Sequence, residues 1–86
     1  MSQLSPHPLP DALSRALGAV VRQRRTELNL SQERLAEGTG LHRTYIADVE
    51  RGTRNIALRN VARLAAALDL TLVDLFTRME RLPPPA

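Results

Sequence analysis

Cysteine, tryptophan and lysine are all missing from this chain, and its 12 basic residues are therefore all arginine. Without cysteine there is no disulfide framework and no thiolate metal site, which fits a reducing compartment without requiring one. Aromatic residues are only 2% of the chain, so a core must be assembled from Leu, Ala, Val and Ile, which favours closely packed helices. Period-two alternation and β-branched runs are scarce, which argues against strands. No apolar run approaches the ~20 residues a spanning helix needs, and no membrane association is expected. Met1 to Pro10 has no basic n-region and no long apolar run, so it does not read as a secretory signal and a cytoplasmic location is expected. The missing lysine is also what GC-rich coding produces, so arginine placement carries more weight than arginine number.

What is present is an arginine-rich chain of 86 residues with a net charge of +3, room for one domain burying about 60–65% of its unfolded surface. Prolines occur only outside Asp11 to Leu82. They divide the sequence into a flexible Pro-rich arm (1–10), one folded domain (11–82) and a Pro-rich tail (83–86). Five helices are predicted. The first runs from about Asp11 or Ala12 to Leu28, with Asp11 as N-cap, an apolar stripe of Leu13, Leu17, Val20, Val21 and Leu28, and Asn29 as a left-handed exit. The fourth runs from about Ala57 or Leu58 to Leu68, burying Leu58, Val61, Leu64, Ala65 and Leu68 behind a weak cap. The fifth follows Leu70, with Thr71 and Asp74 spaced as a capping box. Its large apolar residues, Leu72, Leu75, Phe76, Met79 and Leu82 with Val73 beside them, cover about half its circumference, more than one packing contact uses. Leu72, Val73 and Phe76 are accordingly expected at a two-fold dimer interface.

Between these lies QERLAEGTGLHRTYIADVER, Gln32 to Arg51. It reads as two short helices around a tight corner. Ser31 caps the first, and Leu35 and Ala36 point inward. Gly38 and Gly40 bracket Thr39, supplying left-handed backbone, and Leu41 follows as an apolar plug. The second helix spans about His42 to Arg51, with Tyr45, Ile46 and Val49 facing in, Gly52 ending it, and Arg43, Thr44, Ala47, Asp48 and Arg51 outside.

Gln32, Ala36, Gly40, Ile46 and Val49 of this stretch resemble the helix-turn-helix of the lambda-repressor-like (Cro and xenobiotic-response-element) regulators. The likeness runs from about Val21 to Phe76. It includes VERGTRN (Val49 to Asn55) and VARLAAALDL (Val61 to Leu70), although Ile56 and Ala57 stand where the family usually has Pro then Ser or Thr. Arg43 to Ile46 (RTYI) followed by ERGTRN is most similar to the small controller proteins of restriction–modification systems. The resemblance implies an all-α, five-helix DNA-binding domain whose third helix enters the major groove of double-stranded DNA.

Residues of the first turn of such a helix lie nearest the base edges: His42, Arg43 and Thr44. Arg43 can donate two hydrogen bonds to guanine, worth ~1–3 kcal/mol against a wrong base, and Thr44 offers a hydroxyl and a methyl group. Asp48 could accept from cytosine, but pairing with Arg51 is the more ordinary role. The resemblance makes Gln32 a phosphate ligand at a helix N-terminus, adds Thr53, Arg54 and Asn55 as a second clamp, and implies that Arg25 and Glu50 form a structural ion pair. Arg22 and the Tyr45 hydroxyl are further phosphate candidates; a solvated arginine and a core tyrosine are the plain alternatives. His42 has no second ligand spaced to join it, so no metal and no cofactor are expected.

The leading expectation is a homodimeric transcriptional regulator reading an inverted repeat, which blocks RNA polymerase or touches it when bound upstream. A restriction–modification controller would autoregulate, acting as activator and repressor. A phage-type repressor or antitoxin-like autorepressor would present the same residues. A protein-interaction module using helix five is the alternative of another class. An enzyme is not expected, since no nucleophile–base pair or paired carboxylate site stands out.

Overall fold

The computed structural model describes residues 8–82, with side chains from Ala12 onward. Within them the chain forms α1 (Pro8–Glu27), α2 (Gln32–Thr39), α3 (Arg43–Arg51), α4 (Leu58–Ala67) and α5 (Leu72–Arg81), and no strand. None of these helices is long and apolar enough to cross a membrane. Helix α1 packs across α3 and α5, α2 lies against α3 and α4, and α4 touches α5. Leu17, Val20, Val21, Leu35, Ile46, Val49, Leu64, Leu68 and Leu75 from all five helices meet in one core. No helix here could bury its apolar face alone, so their order is cooperative.

Most boundaries follow local chemistry. Asn29 and Asp69 take left-handed angles after α1 and α4. Each exit is closed by a six-to-one bond, Leu30 N to Arg25 O and Leu70 N to Ala65 O, both 2.9 Å. Thr71 and Asp74 form both halves of a capping box, whereas Ala57 gives α4 no side-chain cap. A bond from Arg24 Nε to Leu68 O, 2.9 Å, ties the end of α4 to α1.

Several expectations are corrected. Helix α1 begins at Pro8, so Asp11 is its fourth residue and not its cap. Prolines at 8 and 10 are tolerated because the opening turn has no intrahelical partner for its N–H groups. Met1 to His7 of the expected arm, and the tail 83–86, lie outside the described residues. Leu13 and Leu58 are not buried: they remain 52% and 70% exposed. Their helical spacing was right for an inward face, but no neighbour reaches the outer edge of either helix. Gly38 belongs to α2, and only Gly40 of that pair is left-handed, with φ 74°. On α5, Leu72, Val73 and Phe76 form the uncovered apolar row, with Val73 73% exposed, while Leu75 fills the core.

Candidate nucleic-acid interface

The corner between α2 and α3 is fixed from within. Ser31 Oγ accepts from Arg34 N at 3.0 Å to open α2. At the other end the Gly40 N–H donates to Ala36 O, 2.9 Å. Thr39 is buried between the two helices' ends. Its hydroxyl donates to Ala36 O (3.0 Å) and accepts from Leu41 N (3.1 Å), so one side chain closes α2 and orients the entry to α3. His42 caps α3, its Nδ1 accepting from Thr44 N at 3.2 Å. That bond leaves Nε2 as the atom turned away from the helix backbone.

Beyond this cap, Arg43 and Thr44 are exposed on the first turn of α3. Among the described residues neither side chain has a hydrogen-bond partner. They project from a helix whose opposite face, Ile46 and Val49, is completely buried. An unpartnered donor fork on a fixed base is an arrangement suited to bidentate guanine contact.

The far end of α3 is held by charge. Arg25 Nε and Nη2 donate to the two Glu50 oxygens at 2.6 and 3.0 Å, and Arg25 Nη1 donates to Leu30 O at 2.8 Å. The pair is largely withdrawn from water, with 16% of the Arg25 side chain and 5% of Glu50 exposed. Hydrogen bonding to Glu50 raises the Arg25 pKa above its ordinary value, so the guanidinium stays charged. Gln32 Nε2 adds a third donor to Glu50 at 3.1 Å, so the side chain expected at a phosphate is turned in the free protein toward the brace.

The loop after α3 is more structured than its composition suggests. Thr53 N and Thr53 Oγ1 both donate to Asp48 O, each at 3.1 Å. With both donors spent on the helix end, the expected phosphate role of Thr53 requires those bonds to break. Arg54 Nε bonds Asp48 Oδ2 at 3.2 Å, and its guanidinium carbon lies 4.8 Å from the centre of the Tyr45 ring. The Tyr45 hydroxyl accepts from Asn60 Nδ2 at 3.2 Å, which leaves its own proton free to donate outward. Arg51 takes the other Asp48 oxygen. Asn55 is exposed on the same loop. Arg22 lies apart from it. It lines an open cleft of about 710 Å³ between α1 and the end of α3, with Arg15, Gln23 and Arg51.

Arg43 and Thr44 thus stand on the first turn of α3, Arg54 and Asn55 on the loop after it, and Arg22 on the cleft that α1 forms with its end. Sequence reasoning missed Thr39, Asn60 and the bond from Arg54 to Asp48. Only Thr39 had a local signal: a Thr three residues after a helical carbonyl can bond back to it.

Comparison with known proteins places the sequence and the fold. The chain is 51% identical over 59 residues to the control protein C.BamHI of Bacillus amyloliquefaciens, covering 67% of this chain and 73% of that one. It is 46% identical over 76 residues to the control protein C.SmaI of Serratia marcescens, covering 81% and 90%. Among solved structures, the restriction–modification controller protein C.Esp1396I, crystallised as a tetramer with its natural 35 base-pair operator, superposes with a TM-score of 0.76. It is 29% identical, over 80% of this chain and 91% of that one. Residues 21–75, which hold the end of α1, all of α2, α3 and α4 and the first turn of α5, match the helix-turn-helix family, and the chain belongs to that family.

Proposed function

We propose that this protein is a sequence-specific transcriptional regulator of the restriction–modification controller type. It binds double-stranded DNA as a homodimer and reads an inverted-repeat operator. Each protomer places α3 in one of two successive major grooves, ~34 Å apart. The observation that carries this is the first turn of α3, where Arg43 and Thr44 stand exposed and unpartnered on a helix anchored at both ends. His42 stands beside them with Nε2 outward. Arg54, Asn55, Arg22, Tyr45 and the Gln32 end of α2 supply phosphate contacts, which fix register without reading sequence. The uncovered row of Leu72, Val73 and Phe76 supports pairing of two copies through α5. Regulation follows from occupancy at or beside a promoter, including its own, with RNA polymerase blocked or touched. This is a binding activity in the cytoplasm and not a catalytic one.

The test is a protection footprint on DNA surrounding its own coding sequence, repeated with two variants. Symmetric protection is expected. Arg43→Ala should erase discrimination at one base pair of each half-site, worth ~1–3 kcal/mol. Gln32→Ala should weaken all sequences alike. If Arg43→Ala keeps the same operator preference, α3 is not the reading element.

A further inference from the structure

A carboxylate on the outer face of a groove-binding helix should repel the phosphates around it, and Asp48 occupies such a place. The structure shows how the conflict is met. Asp48 gives one oxygen to Arg51 and the other to Arg54 Nε, and its backbone carbonyl receives two bonds from Thr53. The two arginines remain substantially exposed at 60% and 47%, while Asp48 itself is 20% exposed beneath them. Arg54 is further fixed by lying over the Tyr45 ring, and Tyr45 is tied to Asn60 on α4. Arg54 is therefore held against two residues of α3, Asp48 and Tyr45, and Tyr45 carries the contact on to α4.

We propose that Asp48 is a positioning residue for DNA recognition. It orients Arg54 and Arg51 toward the phosphates that flank α3 and reads no base itself. Both its oxygens already face guanidinium groups and its side chain is only 20% exposed, so a cytosine amino group would have to compete with two arginines for it. A guanidinium held by a carboxylate and an aromatic face loses less freedom on meeting a phosphate than one swinging on four rotatable bonds. Pre-ordering ties the phosphate contact to one placement of α3. It therefore favours the operator, where α3 is seated, over non-operator DNA, where the same arginines meet phosphates loosely.

This inference rests on the DNA-binding reading above, and one experiment separates their failures. A duplex selected by the wild-type protein from random sequence serves as operator, and a scrambled duplex of equal length as competitor. Binding of wild type, Asp48→Asn, Asp48→Ala, Arg54→Ala and the double variant Asp48→Asn/Arg54→Ala is measured over a range of salt. Removing a negative charge should tighten binding to the scrambled duplex and steepen its salt dependence. The operator-to-scrambled ratio should nevertheless fall by about threefold or more in both Asp48 variants, the scale of one exposed charge pair. The double variant should lose less of that ratio than the two single losses combined, because both single variants break the same Asp48–Arg54 contact while only Asp48 also holds Arg51. A ratio unchanged in Asp48→Asn would reduce Asp48 to bulk charge and overturn the proposal. So would a loss confined to one base pair, the mark of direct reading, or simple additivity in the double variant. If the wild-type chain selects no sequence, the DNA-binding reading falls, and this inference with it.

Discussion

Replacing Gly18 with alanine should destabilise the protein, although the substitution favours helix formation. Gly18 lies inside α1, where alanine is intrinsically better by about 1 kcal/mol. A Cβ built at this position would stand 2.3 Å from Val49 O and 2.8 Å from Glu50 O. Carbon and carbonyl oxygen ordinarily approach to about 3.3–3.6 Å, so α1 must withdraw from α3 by about 1 Å. Both obstructing atoms are backbone, and no rotamer change relieves them. A gap of that size forfeits about a quarter to a half of each dispersion contact across it. The contacts at risk belong to Val20, Val21, Ile46 and Val49, all completely buried. Overpacking in a tight core costs about 1–3 kcal/mol. Taking the upper end and subtracting the helix preference leaves a loss of about 2 kcal/mol. With a urea dependence of about 1–2 kcal/mol per molar for a chain this small, the unfolding midpoint should drop by about 1–2 M. Gly38→Ala is the control. Its Cβ would meet only Ala67 Cβ, at 3.6 Å, an ordinary contact. That variant should gain about 0.5–1 kcal/mol. Both are compared by denaturant titration at one fixed protomer concentration, since self-association would couple stability to concentration. A midpoint for Gly18→Ala equal to or above wild type would refute the claim that the backbones of α1 and α3 touch there.

Two further outcomes follow from the charged groups. Arg25→Ala strands the Glu50 carboxylate, of which 5% is exposed, with Gln32 as its remaining side-chain donor, and should cost about 3 kcal/mol. Arg25→Ala/Glu50→Gln should recover part of that loss in the same melt, and a double variant as unstable as the single one would contradict a stranded charge. Arg78, and then Arg24, hold the Glu27 carboxyl below its ordinary value of 4.5. A lowered folded pKa means that the unfolded chain binds the proton first as pH falls. The contribution is therefore complete above the unfolded value near 4.5 and disappears as pH drops through the folded one. Denaturation curves of wild type and Glu27→Gln should differ slightly at pH 7 and converge in acid, and a gap that widens in acid would reverse the sign of this argument.

The features legible in the sequence are those decided within a few residues. Ser31, Gly40, Asn29, Gly52 and the Thr71–Asp74 pair each satisfy backbone groups no more than five positions away, so composition and spacing suffice to find them. Helical periodicity located the inward face of α1 and α4 but could not say how far a neighbour extends over it, and Leu13 and Leu58 fell beyond that edge. The start of α1 was misplaced because proline was read as a breaker, when an opening turn has no bond for it to break. The Arg25–Glu50 contact became readable only through family resemblance. With 12 arginines and 9 acidic residues in the chain, charge alone allows many pairings, and Arg54 with Asp48 is one that spacing does not select. Gly18 is hidden for a related reason. What it permits is the approach of a carbonyl thirty-one positions away, and nothing local to α1 requires a glycine.

A nine-residue helix is too short to hold its shape in water, so the direction of α3 is imposed by what grips it. Its entry is set by Thr39 and Gly40, and its inner face by Ile46 and Val49. Its exit is set by the close pass of α1 at Gly18, by Glu50 in the grip of Arg25, and by Thr53 folded back on Asp48. Constraint is therefore heaviest along the inner face and at the exit. The first turn is held through its backbone, while the side chains of Arg43 and Thr44 are left without partners. A reading element needs that division. The helix must arrive at a fixed angle, since a small rotation would carry an arginine fork off the guanine edge. The fork itself must be unspent, since a donor already satisfied within the protein gains nothing from a base. Asp48 and its two arginines lie at the junction between the fixed part and the free part. Under the proposed DNA-binding reading, the same carboxylate that would be a liability beside phosphates becomes a support for the arginines that would meet them.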